Sequence, residues 1–162
     1  MRLLPLALAA LVVVAAAAAN PPRVGILVPG RSLGGVRLGA SPARVTRAWG
    51  RRHGVCRGCR VRTWYFNYRL FRPQGAGVEF RRGRVSALFT LWSPHGWRSS
   101  DGIAIGDPIS RVTGRYDGLA ETRCRGYAAY ALSGPRATTW FYGARGLVYG
   151  FGLSRAGTRA CR

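Results

Sequence analysis

The residue types that could do chemistry gather in one short run, Arg51-Arg52-His53-Gly54-Val55-Cys56-Arg57-Gly58-Cys59-Arg60. His53, Cys56 and Cys59 are spaced so that neighbouring turns could converge on a zinc ion, but a structural zinc site wants a fourth ligand and the run offers no clear one. The same Cys-x-x-Cys pair could exchange thiol for disulfide. Such a pair is expected after a strand and at a helix N-terminus, where the dipole lowers the thiol pKa; here the pattern puts it after a helix and before a strand. Haem attachment needs a histidine directly after the second cysteine, and Arg60 stands there. The remaining reading is structural. With Cys124 and Cys161 the chain has four cysteines, and the favoured pairing is Cys56–Cys59 with Cys124–Cys161, one bridge in each half. Cross-half pairings stay open.

A second candidate chemistry is phosphodiester cleavage. Small cationic secreted ribonucleases use a Glu general base, a His general acid and Arg on the phosphate, and Glu79, His95 and several arginines supply those types. No spacing demands the arrangement, so a nuclease-like hydrolase is the alternative and not the main reading. The two histidines and the scattered aspartates form no Ser-His-Asp set, and Gly34-Gly35 lacks the lysine of a phosphate loop. No catalytic residues, cofactor or metal are assigned.

Binding is the stronger expectation. All 26 basic residues are arginine, against five acids, for a formal net charge of +21. Genome bias can exchange Lys for Arg but does not explain the scarcity of acids, so an anionic partner is expected: a cell-wall polymer or a protein surface, with nucleic acid as a non-specific possibility. Arg44, Arg47 and Arg51 recur at spacings of three and four, a ridge on one side of a short helix. The aromatic candidates are Trp64, Tyr65, Tyr68, Trp92, Trp97, Trp140 and Tyr142. Trp64, Phe66, Tyr68, Val78 and Phe80 fit one face of a core, while Trp92 and Trp97 flank the Pro94-His95-Gly96 loop and read as surface anchors. The expected binding set is therefore Trp92, Trp97, Arg44, Arg47, Arg51, Trp64 and Tyr65.

These residues need elements to hold them. Met1-Arg2, the apolar run Leu3–Ala19 and Asn20-Pro21-Pro22 read as a signal peptide over 1–19, which makes the chain exported, free of a membrane anchor and expected to act as single copies. An N-terminal segment over 20–34 includes Val24–Val28 as a short edge strand stopped by Pro29-Gly30. Ser41-Pro42 opens a helix, Ser41 as cap and Pro42 at the first position, with Val45, Ala48 and Trp49 inward and Gly50 as a left-handed C-cap. The same order of residues returns from Gly102, where Asp107-Pro108 opens a second helix.

Alternation over Val61–Leu70 predicts a strand, and a hairpin follows across Arg82-Gly83-Arg84. Strands over Gly126–Leu132, Thr138–Tyr142 and Leu147–Leu153 repeat that order, and at an offset of 62 Val78/Trp140, Phe80/Tyr142, Val85/Leu147, Phe89/Phe151 and Leu91/Leu153 correspond. The expected fold is α+β: two tandem repeats over 35–92 and 102–162, each a short capped helix packed on an antiparallel β-sheet, joined by a linker over 93–101.

Val36-Arg37-Leu38-Gly39-Ala40-Ser41-Pro42-x-x-Val45-x-x-x-x-Gly50 resembles the helix-opening signature of the β-lactamase inhibitory protein fold, shared with the outer-membrane assembly lipoprotein. Tandem copies resemble the inhibitory protein itself, whose two helix-plus-sheet repeats grip a partner on a concave sheet. Ala40 stands where Met is usual, and the charge is opposite to that of inhibitors with acidic groups for the enzyme cleft. The resemblance thus implies a secreted, non-enzymatic binding module and carries over no inhibition of a β-lactamase.

Overall fold

The computed structural model describes residues 24–67, 75–91 and 96–161; the segment 1–19 that reads as a signal peptide, Tyr68, Trp92 and His95 lie outside them. The chain is mostly β. Eight strands form one sheet in the order β4 (Gly54–Val55), β5 (Arg62–Asn67), β6 (Gly75–Arg81), β7 (Arg84–Leu91), β12 (Leu147–Arg155), β11 (Ala137–Ala144), β10 (Tyr127–Ser133) and β9 (Ala120–Cys124). A second sheet of four runs β3 (Val36–Arg37), β2 (Ser32–Leu33), β1 (Val24–Val28) and β8 (Gly96–Ser99). Two helices complete the described chain, α1 (Pro42–Trp49) and α2 (Ser110–Thr113), of eight and four residues.

This corrects the expected α+β repeats. The helices are too short to cover a sheet, and the two runs of strands share one sheet through β7 and β12, where Phe89 faces Gly152, Leu88 faces Leu153 and Ala87 faces Ser154. The stretch expected to be linker contains β8, which pairs in parallel with β1 from Val24–Gly96 to Leu27–Ser99. With β2 on its other side, β1 is an inner strand and not an edge.

What recurs is a clip of backbone hydrogen bonds. Gly39 N donates to Val85 O (2.8 Å) and Val85 N to Ala40 O (2.9 Å); Gly106 N donates to Val148 O (2.7 Å) and Val148 N to Asp107 O (2.8 Å). Each clip sits just after a two-residue turn whose central residues both have positive φ, Arg82 (49°) with Gly83 (70°) and Arg145 (52°) with Gly146 (76°). This is the left-handed turn that matches strand twist. These turns lie one residue further apart than the offset of 62, and a one-residue slip exchanges the faces of a strand. Val78 accordingly packs in one core and Trp140 in the other.

The first core lies between the sheets and holds Leu27, Trp49, Phe66, Val78, Leu88, Trp97, Phe141 and Phe151. The second lies on the opposite face of the large sheet, with Phe89, Trp140, Tyr142 and Tyr149 over the alanines 129 and 131. Small residues make room there: a Cβ on Gly77 would collide with the Phe89 ring.

Candidate functional site

Helix α1 forms as its sequence dictates. Ser41 Oγ accepts from Arg44 N at 3.4 Å, Pro42 occupies the first turn, and Val45 and Trp49 are buried. Ala48 is exposed, not inward, and Gly50 has φ 90° with ψ 175°, extended beyond a left-handed cap. Arg44, Arg47 and Arg51 all stand in solvent, so the ridge exists as an exposed cationic face. The second helix departs further. It begins after Ile109 without a side-chain cap, and Asp107 instead accepts from Ala104 N (2.8 Å) and from Arg111 (2.7 Å). A carboxylate that already serves a tight turn and an ion pair does not cap the helix.

The His53–Cys59 run is closed by a disulfide. Cys56 is joined to Cys59 and Cys124 to Cys161, the favoured pairing, and no described cysteine is free. His53 stacks on Trp64 (centroids 3.8 Å, planes 20° apart). Burial pushes its pKa below 6.5; a backbone hydrogen bond at Arg51 opposes this and the charge of Arg62 adds to it. Among the described residues no group of His, Cys, Asp and Glu is placed to hold a metal. The ring caps the Trp64 edge of the core.

The aromatic anchors are placed differently from expectation. Trp97 is fully buried, 0% exposed, because β8 turns it into the inter-sheet core, so it cannot serve as a surface anchor. Its ring fills the space left by two glycines: a Cβ on Gly25 would collide with it, and one on Gly34 would lie 2.7 Å from it. Trp64 is buried against Phe80 (4.7 Å). Tyr65 points to the second face, edge-on to Phe89 at 6.2 Å, and is half-buried. Trp92, and His95 of the nuclease alternative, lie outside the described residues; Glu79 sits in β6 with its carbonyl accepting from Ser86 Oγ at 3.1 Å.

The arginines carry the surface. Every arginine among the described residues is exposed, and of these Arg111, Arg115 and Arg123 meet a carboxylate. Two cavities lie among them. One, of about 420 Å³, is bounded by Arg123, Arg145, Tyr127, Tyr130 and Glu121 beside the β9–β10 edge. The other, of about 220 Å³, is bounded by Arg31, Arg37 and Arg136 over a floor of Gly30, Leu38 and Ala137. Arg31 comes from the β1–β2 turn, Arg37 from β3 and Arg136 from the β10–β11 turn. The junction is fixed by Gly30 N donating to Thr139 Oγ1 at 2.8 Å. Positions 31, 37 and 136 share no spacing, so no sequence motif singles them out.

No family model matches the chain, and no curated protein matches it. Two solved structures are similar in fold. One is an extracellular protein containing an SCP domain from Bacillus anthracis str. Ames, with a TM-score of 0.55 at 9% identity over 74% of this chain and 44% of that one. The present chain therefore spans less than half of that protein. The other is the uncharacterized protein YfeY from Escherichia coli, with a TM-score of 0.52 at 14% identity over 79% of this chain and 98% of that one. At these identities the likeness concerns the fold alone.

Proposed function

We propose that the protein is an exported, non-enzymatic binding module whose arginine surface recognises an anionic partner, a cell-wall polymer or an acidic protein. The observation that carries this reading is the state of the arginines: those described are all exposed, and most face no carboxylate. Guanidinium groups held without internal partners keep their donors available for planar, forked contacts with phosphate or carboxylate. Two disulfides suit an oxidising compartment, and the resemblance of Val36–Gly50 to the inhibitory-protein signature points the same way, towards surface binding.

The test is a salt series from about 50 mM to about 200 mM with a poly(glycerol phosphate), an acidic protein and RNA as probes. A partner-directed surface binds one class with a shallow salt slope and the others weakly. Equal, steeply salt-dependent binding to all three would reduce the surface to a solvated positive field and overturn the proposal.

A further inference from the structure

The cavity of Arg31, Arg37 and Arg136 differs from the rest of the cationic surface in its construction. Three guanidinium-bearing segments, remote in sequence and drawn from both sheets, border one space of about 220 Å³. All five acids of the chain are described, and none forms an ion pair with these three arginines. Asp101 binds Arg115 and Tyr116, Asp107 binds Arg111, Glu121 binds Arg123, Asp117 sits in the bend between α2 and β9, and Glu79 lies in β6. Like charges gathered without a counter-charge repel one another, and an anion placed between them removes that cost. The floor adds no competing acceptor side chain, since Gly30, Leu38 and Ala137 bring only apolar atoms and backbone.

We propose that this cavity binds a phosphoryl dianion, as inorganic phosphate or as a phosphate monoester. The argument from chemistry is one of number. A phosphate monoester carries close to two negative charges and three free oxygens, each able to take a forked guanidinium contact, whereas a carboxylate offers one charge and two oxygens. The site rests on the reading of the protein as a binder of anions, and it would make that reading local: the anion would tie the β1–β2 turn to the start of β11, beside the Gly30–Thr139 hydrogen bond.

The experiment is calorimetric titration of the folded chain with inorganic phosphate, glycerol 3-phosphate and acetate at constant ionic strength, with thermal unfolding followed in parallel. The variants are R31Q/R37Q/R136Q and, as a charge-matched control, R125Q/R155Q/R159Q, all at exposed positions. Saturable binding of both phosphates, a raised unfolding midpoint, and a loss of at least about tenfold in the pocket variant against about twofold in the control would establish the site. Phosphate bound while glycerol 3-phosphate is refused would identify the free ion as the ligand; the two bound alike would identify the monoester group. No saturable phosphate binding, equal loss in both variants, or acetate bound as well as phosphate would overturn it. Undiminished inorganic phosphate and glycerol 3-phosphate binding by the pocket variant would sink the pocket alone. Small phosphates bound by a chain that ignores every polymer would sink the polymer reading alone.

Discussion

Trp49 and Trp97 meet edge to face, ring centroids 6.0 Å apart and planes at 78°, and only one of the two indoles uses its N–H. Trp49 Nε1 donates to Gly34 O at 2.8 Å, whereas Trp97 Nε1 is buried without a partner. Replacing each with Phe removes the same ring area but different polar bookkeeping. Trp49→Phe orphans the Gly34 carbonyl and is expected to cost about 1–3 kcal/mol more than Trp97→Phe in denaturant unfolding. Equal losses would show that the Gly34 bond contributes nothing net.

The glycines beneath that pair give a second expectation. Gly25→Ala drives a methyl into the Trp97 ring, and overpacking of this kind costs about 1–3 kcal/mol. Gly34 has φ 55° besides a crowded Cβ position, so Gly34→Ala should destabilise more than Gly25→Ala. Chemical denaturation of the two variants side by side checks the order.

Helix α1 and the aromatic faces of β5 were legible because each rests on a local rule: a Ser-Pro start, a period of two. Tyr65 and Trp64 point to opposite faces as alternation requires. What was not legible is long-range. Trp97 reads as loop because Ser-Pro-His-Gly surrounds it, and only its parallel pairing with Gly25, far away in the chain, makes it core. An offset of 62 aligns apolar residues that lie on opposite faces of the sheet, whereas the turns at Arg82 and Arg145 and the bulges after Glu79 and Tyr142 all recur at 63, a register that only the backbone pairing reveals. The arginine cavity was invisible for the same reason as β8, being assembled from segments that sequence keeps apart.

The turns at Arg82 and Arg145 carry an avoidable strain. Both residues have positive φ, which costs an L-residue other than Asn, Asp or Gly about 1 kcal/mol. Arg82→Asn and Arg145→Asn should therefore each stabilise, by up to about 1 kcal/mol, and together nearly additively, seen as a raised denaturation midpoint. A loss of stability would mean that the arginine side chains hold these turns.

Acid should weaken the His53 corner. Its folded pKa lies below 6.5, so the unfolded chain binds the proton more tightly and stability rises with pH through that interval. The contribution is fully present above 6.5 and is lost as pH falls towards the folded pKa. Denaturation midpoints compared at about pH 5 and about pH 7 should differ less in His53→Phe than in the parent. An unchanged difference would place the sensitivity elsewhere.

The bridges should contribute unequally. Cys124–Cys161 closes a separation of 37 residues and Cys56–Cys59 one of 3, worth about 4 and about 2 kcal/mol by loop entropy. Paired Cys→Ala variants, unfolded by denaturant, should rank in that order.

The ends of the large sheet have a consequence of their own. Among the described residues its outer strands are β4, two residues long, and β9, whose exposed Glu121 and Arg123 precede the bridged Cys124. An open row of backbone donors and acceptors is a template for another chain, and short length, charge and a covalent staple are the devices that blunt it. The large sheet, rich in aromatic strands, thereby offers little template for edge-to-edge growth.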